Sequence, residues 1–237
     1  MIQKMLPTYI TMATAPFSLD SRDALSNSFS VSYMLLFSYT IVTLIEALTT
    51  ESRAARHVMN LETAVSVVAG YFYMQFAAMA QKPGFRPSTV MPYRYLDWCI
   101  TTPMLLLAMM LYLSSSRGSS SVRWQTFVLA LVLDYAMLGA GYVGESGRAD
   151  RGASGMVSFA FFASLVAVVW SAFRTEILGS ASKKVVFGAF AAIWSAYGVV
   201  YYVQDERKRA LAYNVLDVVS KAFMGIYLWS TIGHVLV

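Results

Sequence analysis

Seven apolar runs, each about as long as a helix needs to cross a bilayer, leave this chain very few folds. They occupy residues 28–48, 59–80, 93–113, 124–143, 155–173, 185–203 and 210–230. A crossing helix takes roughly 20 residues, because the backbone rises only about 1.5 Å per residue through a hydrocarbon core about 30 Å thick. None of the runs alternates strictly, and all are too long for the strand of a membrane barrel. Charged residues lie mostly in short clusters between the runs. They make up 13% of the 237 residues, about half the share of an ordinary soluble domain. A disordered chain is excluded, and a soluble enzyme would lack the charged surface needed to cover its core. The expected fold is all-α, an integral membrane protein built as a seven-transmembrane helix bundle. Seven spans leave no length for a second domain. Residues 1–26 read as an extracellular or interfacial N-terminal segment, broken by Pro7 and Pro16 and without the cleavage pattern of a signal peptide. Residues 27–231 form the bundle, and 232–237 a short C-terminal tail.

Several functions fall away on composition. Cys99 is the only cysteine, so no intrachain disulfide and no Cys-rich metal centre is expected. His57 and His234 are far apart in the chain, and two distant histidines make no metal site. The net charge of +5 does not point to nucleic acid, because the basic residues border the runs instead of forming one aromatic-laced patch. Nor does charge orient the protein. Arg53, Arg56, Arg174 and Lys184 on one side are balanced by Lys82, Arg86, Arg148 and Arg207 on the other, so the bias that sets topology is missing.

The residues that carry chemistry are the ionisable ones inside the runs, where charge is costly and faces the bundle interior. In the third run Arg94, Asp97 and Thr101 stand at i, i+3 and i+7, on one helical face. In the seventh, Asp217 and Lys221 are one turn apart, with Asn214 a turn earlier. Two cations thus meet two carboxylates, which is how buried charge becomes tolerable. A structural network pinning two helices would use the same pairs. A lysine deep in the last span is harder to place structurally. Its burial costs less if the amine forms an imine with a carbonyl cofactor, and a protonated imine needs a carboxylate counterion. Trp194, Tyr197 and Tyr201 at i, i+3 and i+7 in the sixth run, with Trp98 in the third, offer rings between which a flat apolar cofactor fits. Such stripes also occur as ordinary packing.

Three stretches, in this order and spacing, resemble the microbial rhodopsins, seven-helix retinal proteins. They are residues 94–108, RYLDWCITTPMLLLA; residues 194–197, WSAY; and residues 216–221, LDVVSK. The resemblance covers about residues 28–230. It implies that all-trans retinal is bound covalently to Lys221 as a Schiff base. It makes Asp97 the primary counterion and proton acceptor, Asp217 the second counterion, Arg94 the gate on the extracellular side, and Thr101 a hydrogen-bonding neighbour of Asp97. Trp98 and Trp194 would sandwich the polyene. Tyr95, Thr102, Tyr197 and Tyr201 would complete the wall, with Met137 and Gly141 on the fourth helix, near Asp134, and Ser158 and Phe162 on the fifth. The amino terminus outside and the carboxyl terminus in the cytoplasm follow from the same resemblance, as does the possibility of a homo-oligomer in the lipid bilayer.

Departures from that pattern bear on function. The family's outward proton pumps carry a carboxylic acid eleven residues after the counterion, and here that place is Ala108. Gly198 stands where those pumps have proline. The acids of the usual proton-release region are not evident. Asp97 argues against a chloride pump. The second run, residues 61–76, LETAVSVVAGYFYMQF, is similar to the second helix of viral rhodopsins of giant algal viruses, whose first group includes light-gated cation channels. Glu62, Ser66 and Asn214 are accordingly expected to line an ion path. The sequence is therefore read as a light-activated retinal protein, not an enzyme, that moves protons or monovalent cations. A light-gated cation channel is the first expectation, a light-driven outward proton pump the alternative, and a sensory photoreceptor a third.

Overall fold

The computed structural model describes residues 21–115 and 122–235. Within them the chain forms α1 (Ser21–Thr49), α2 (Arg53–Ala80), a short 3-10 turn at Pro87–Val90, α3 (Met91–Ser114), α4 (Trp124–Glu145), α5 (Arg151–Gly179), α6 (Ala181–Tyr201) and α7 (Glu206–Val218). A π-helical stretch, Val219–Phe223, then leads without a break into α8 (Met224–Val235). Counting α7 to α8 as one, seven helices among the described residues are long and apolar enough to span a membrane. The seven-helix expectation is met.

The boundaries differ from those read off hydropathy, for local reasons. α1 starts at Ser21, so residues 21–26 belong to a helix and not to a separate segment; residues 1–20 lie outside the described residues, as does the Ser-rich tract 116–121. α2 starts at Arg53 because the Ser52 hydroxyl caps it, accepting from the Ala55 N–H at 3.3 Å. Glu62 consequently stands more than two turns inside the helix, not at its start. Asp150 caps α5 in the same way, accepting from Ala153 N–H at 2.7 Å. Asp205 caps α7, and the N–H groups of Lys208 and Arg207 hold its carboxyl below the usual carboxylate range. Residues 232–235, assigned to a tail, continue α8.

Pro103 sits inside α3 and has no N–H to give the Cys99 carbonyl one turn back. Tyr135 of α4 supplies the missing donor, its hydroxyl reaching Cys99 O at 3.2 Å. The outward faces are apolar, with Ile41, Leu48, Val132 and Val199 exposed, as a lipid-facing surface requires. Burial is uneven. In the third and seventh spans 56% and 53% of the apolar window is buried, against 22% in α5 and α6. The two most enclosed spans are the two that carry the charges.

Candidate functional site

α3 and α7 bring their charged faces together as two ion pairs. Lys221 Nζ lies 2.7 Å from Asp97 Oδ2 and 3.7 Å from Asp217 Oδ1. Arg94 Nη1 lies 2.9 Å from Asp217 Oδ2. All four side chains are buried. Charges so placed are tolerable only while paired and hydrogen-bonded, and losing one partner costs about 3–5 kcal/mol. The π-helical stretch contains Lys221 and locally replaces the regular helix, a feature that recurs at functional sites.

The two carboxylates are not equivalent. Asp217 accepts from Tyr73 Oη at 2.6 Å, Arg94 Nη1 at 2.9 Å, Tyr197 Oη at 2.6 Å and Trp98 Nε1 at 3.0 Å. Asp97 accepts from Lys221 alone, and its Oδ1 has no hydrogen-bond partner among the described residues. Arg94 is held through both terminal nitrogens. Its Nη2 donates to Asn214 Oδ1 at 2.6 Å, its Nη1 also to Tyr73 Oη at 2.8 Å, and its guanidinium lies over the Phe76 and Tyr213 rings at 5.3 and 5.6 Å. Asn214 Nδ2 continues this net to Ser28 Oγ of α1 at 2.7 Å.

A cavity of about 370 Å³ opens from Lys221 between α3, α4, α5 and α6, within the size range of small-molecule sites. Every retinal contact expected from sequence lines it: Tyr95, Trp98, Thr102, Met137, Gly141, Ser158, Phe162, Trp194, Tyr197, Tyr201 and Lys221. Among the lining residues that the sequence reading missed are Leu105, Gly155, Phe159 and Tyr202. Gly155 admits the Tyr201 and Tyr202 rings so closely that a Cβ there would overlap Tyr202. Mostly apolar walls, aromatic rings and an amine at one end with an incompletely satisfied carboxylate beside it fit retinal carried on Lys221. Behind the wall, buried Asp134 of α4 accepts from the Thr102 hydroxyl at 2.6 Å.

Three expectations need correction. Thr101 does not bond the Asp97 carboxylate; its hydroxyl donates to the Asp97 main-chain carbonyl at 2.8 Å, the ordinary back-bond of a helical threonine. Ser66 likewise donates to Glu62 O at 2.8 Å. Asn214 is tied into the Arg94 net, whereas Glu62 lies beyond Lys221 on the opposite side, so the two stand at different depths of the bundle. Glu62 itself is 1% exposed and accepts from Tyr39 Oη of α1 at 3.3 Å. It borders a second cavity of about 40 Å³ with Met109 and Phe190. Leu105, Trp194 and Ser220 line both cavities.

Two further groups were not legible. Tyr73 ties Arg94 to Asp217; its spacing of eleven residues from Glu62, three helical turns, was the available signal. Glu145 at the end of α4 pairs with Arg151 of α5 at 3.1 Å and Arg209 of α7 at 3.0 Å. No sequence spacing announces a cluster assembled from three helix ends.

The family model for bacteriorhodopsin-like proteins matches residues 23–235. The chain belongs to that family. It is 24% identical over 243 residues to a green-light absorbing proteorhodopsin of a gamma-proteobacterium, covering 95% of this chain and 92% of the relative. It is 30% identical over 152 residues to bacteriorhodopsin of Halobacterium salinarum, covering 57% and 54%. Its fold superposes on the crystal structure of viral rhodopsin OLPVRII with a TM-score of 0.82 and 34% identity, over 90% of this chain and 99% of that one. Membership makes this an integral, multi-pass membrane protein of the retinal type, with a role in light-driven ion transport and not in enzymatic catalysis.

Proposed function

We propose that this protein is a light-driven proton pump working outward, from the Glu62 side of the bundle to the Arg94 side, with its amino terminus outside the cell. This is the alternative from the sequence, and it displaces the channel as the better reading. Retinal joined to Lys221 would supply light absorption and a change of shape that re-aims the Nζ proton. The remaining work falls to the chain's own side chains.

The observation that carries the reading is the inequality of the two carboxylates. Asp217, with four donors, keeps its charge, since each hydrogen bond to a carboxylate favours the ionised form. Asp97, with one donor, is the group free to take the Nζ proton. When it does, the Lys221–Asp97 attraction ends, and the proton stands on the side of Arg94, Asn214 and Ser28, which lead outward.

Return of a proton to Nζ requires an acid on the other side. α3 offers none, because Ala108 is buried among apolar neighbours. Glu62 of α2 is the buried acid there, and the small cavity between it and Ser220 has room for at least one water. Glu62 thus serves as internal proton donor in place of an α3 acid. The channel reading needs a hydrated path through Glu62, Ser66 and Asn214, and the small, largely apolar cavity beside Glu62 favours the pump.

Photocurrents in a voltage-clamped cell test this. A current of one outward sign across the voltage range, with acidification of the medium that a protonophore abolishes, supports the pump. A current that reverses with the cation gradient would sink it in favour of the channel.

A further inference from the structure

Tyr39 of α1 touches none of the groups that hold the Nζ proton, yet it is buried, at 3% exposure. Its ring packs on Val218 and Ala222, and Ala222 directly follows Lys221 inside the π-helical stretch. Its hydroxyl reaches past the helix to donate to Glu62 Oε2 at 3.3 Å. Gly225, one turn after Lys221, makes the approach possible. A Cβ at Gly225 would overlap the Tyr39 hydroxyl and stand 2.7 Å from Glu62 Oε2. Tyr39, Glu62 and the backbone at Gly225 are therefore in close contact one turn after Lys221.

We propose that Tyr39 is a positioning residue that sets how readily Glu62 releases its proton, and that Gly225 is the gap in α8 that lets it do so. This rests on the reading of Glu62 as internal donor. In the transfer the O–H bond of Glu62 breaks, an N–H bond forms at Lys221 Nζ, and Tyr39 keeps its own proton. Before transfer the Tyr39 hydroxyl donates to a neutral acid. Afterwards it donates to a carboxylate, and a hydrogen bond to an ionised acceptor is roughly twice as strong. Tyr39 thus favours the state in which the proton has left. Because its ring lies on Ala222, a shift of the Lys221 backbone moves the hydroxyl against Glu62, so the donor is tied to the state of the lysine.

The test uses the full-length, retinal-loaded protein in lipid. Tyr39→Phe keeps the ring and removes the hydroxyl. Reprotonation of Lys221 Nζ after a flash is expected to slow about tenfold, the worth of roughly one hydrogen bond to a charged group, with the absorption maximum unchanged. The infrared C=O band of the Glu62 carboxylic acid, assigned by its loss in Glu62→Gln, should move to higher wavenumber. In the Glu62→Gln background Tyr39→Phe should add nothing. Gly225→Ala, which pushes the hydroxyl and carboxyl apart, should reproduce the slowing. An unchanged rate in Tyr39→Phe, an unmoved band, or equal slowing in the Glu62→Gln background overturns the proposal while leaving the donor reading intact. If Glu62→Gln itself leaves reprotonation unchanged, the donor reading falls, and this proposal with it.

Discussion

On one side of Lys221 the polar groups form a closed net; on the other they are nearly absent. Toward the amino-terminal side, Asp217, Tyr73, Arg94, Asn214 and Ser28 are linked by hydrogen bonds of 2.6 to 2.9 Å. Toward the opposite side stand Glu62, a cavity of about 40 Å³ and the apolar side chains of Leu105, Met109, Phe190 and Leu228. Glu62 and Tyr73 lie on the same face of α2 eleven residues apart, about 16 Å at helical rise. One helix therefore serves both halves. The contrast teaches how direction is built into a bundle whose seven spans look alike by hydropathy. A dense net holds charge steady and leads a released proton away. A sparse, apolar half keeps protons from leaking back, and it passes one only from a single buried acid.

The strongest way to break this contrast is to remove its pivot. Lys221→Ala should abolish the visible absorption band and all light-driven current, because no other described lysine lines the cavity. A pigment that survives in that variant would remove Lys221 from its role. Next in size is the exchange of the two carboxylates' fates. Asp97→Asn should stop transport and move the absorption maximum to longer wavelength, since the nearest negative charge no longer favours a localised positive charge at Nζ. Asp217→Asn should instead strike stability, leaving Arg94 buried without its anion at a cost of about 3–5 kcal/mol, read as a fall in the melting temperature of the pigment. If the two variants behave alike, the inequality of the carboxylates carries no functional meaning. In the sparse half, Glu62→Gln should keep the absorption maximum and slow reprotonation of Nζ by about a hundredfold, the order that a positioned acid contributes. The step should then follow the pH of the medium, because protons must come from bulk water.

Most of the fold and much of the site could be read from the residues. The spans were legible because a 20-residue apolar run has few other uses, and the four interior charges because so few remain to be explained. Part of the cavity wall was legible because Tyr95, Trp98, Thr102, Trp194 and Tyr197 sit in the three motifs. What was not legible depends on how helices rotate against one another. That Asn214 meets Arg94 and Ser28 is set by the rotation of α7, which hydropathy does not register. The π-helical stretch leaves no mark in the apolar pattern of 210–230. The Ser52 cap starts α2 at Arg53, and hydropathy does not register a cap, so the depth of Glu62 within the helix was not legible. Glu145, Arg151 and Arg209 meet only because three helix ends converge.

The smallest effect concerns Thr101, and it separates sequence spacing from geometry. Spacing places Thr101 one turn after Asp97, where its hydroxyl could steady the carboxylate. In the structure that hydroxyl donates to the Asp97 main-chain carbonyl at 2.8 Å, and Asp97 Oδ1 has no partner among the described residues. Thr101→Val keeps the shape of the side chain and removes only this back-bond, whose carbonyl already accepts within the helix. The absorption maximum should stay in place, and the transfer from Nζ to Asp97 should change by less than about tenfold, the worth of one hydrogen bond to a charged group. The neighbouring Thr102→Val offers the control. Its hydroxyl donates to Asp134 Oδ2 at 2.6 Å, so its loss strips a buried carboxyl of a partner and should lower thermal stability by about 1–3 kcal/mol. A larger shift in Thr101→Val than in Thr102→Val, in both colour and rate, would mean that the Thr101 hydroxyl turns to the carboxylate in the working protein. Asp97 would then be better held than its single bond to Lys221 implies, and the difference between it and Asp217 would narrow.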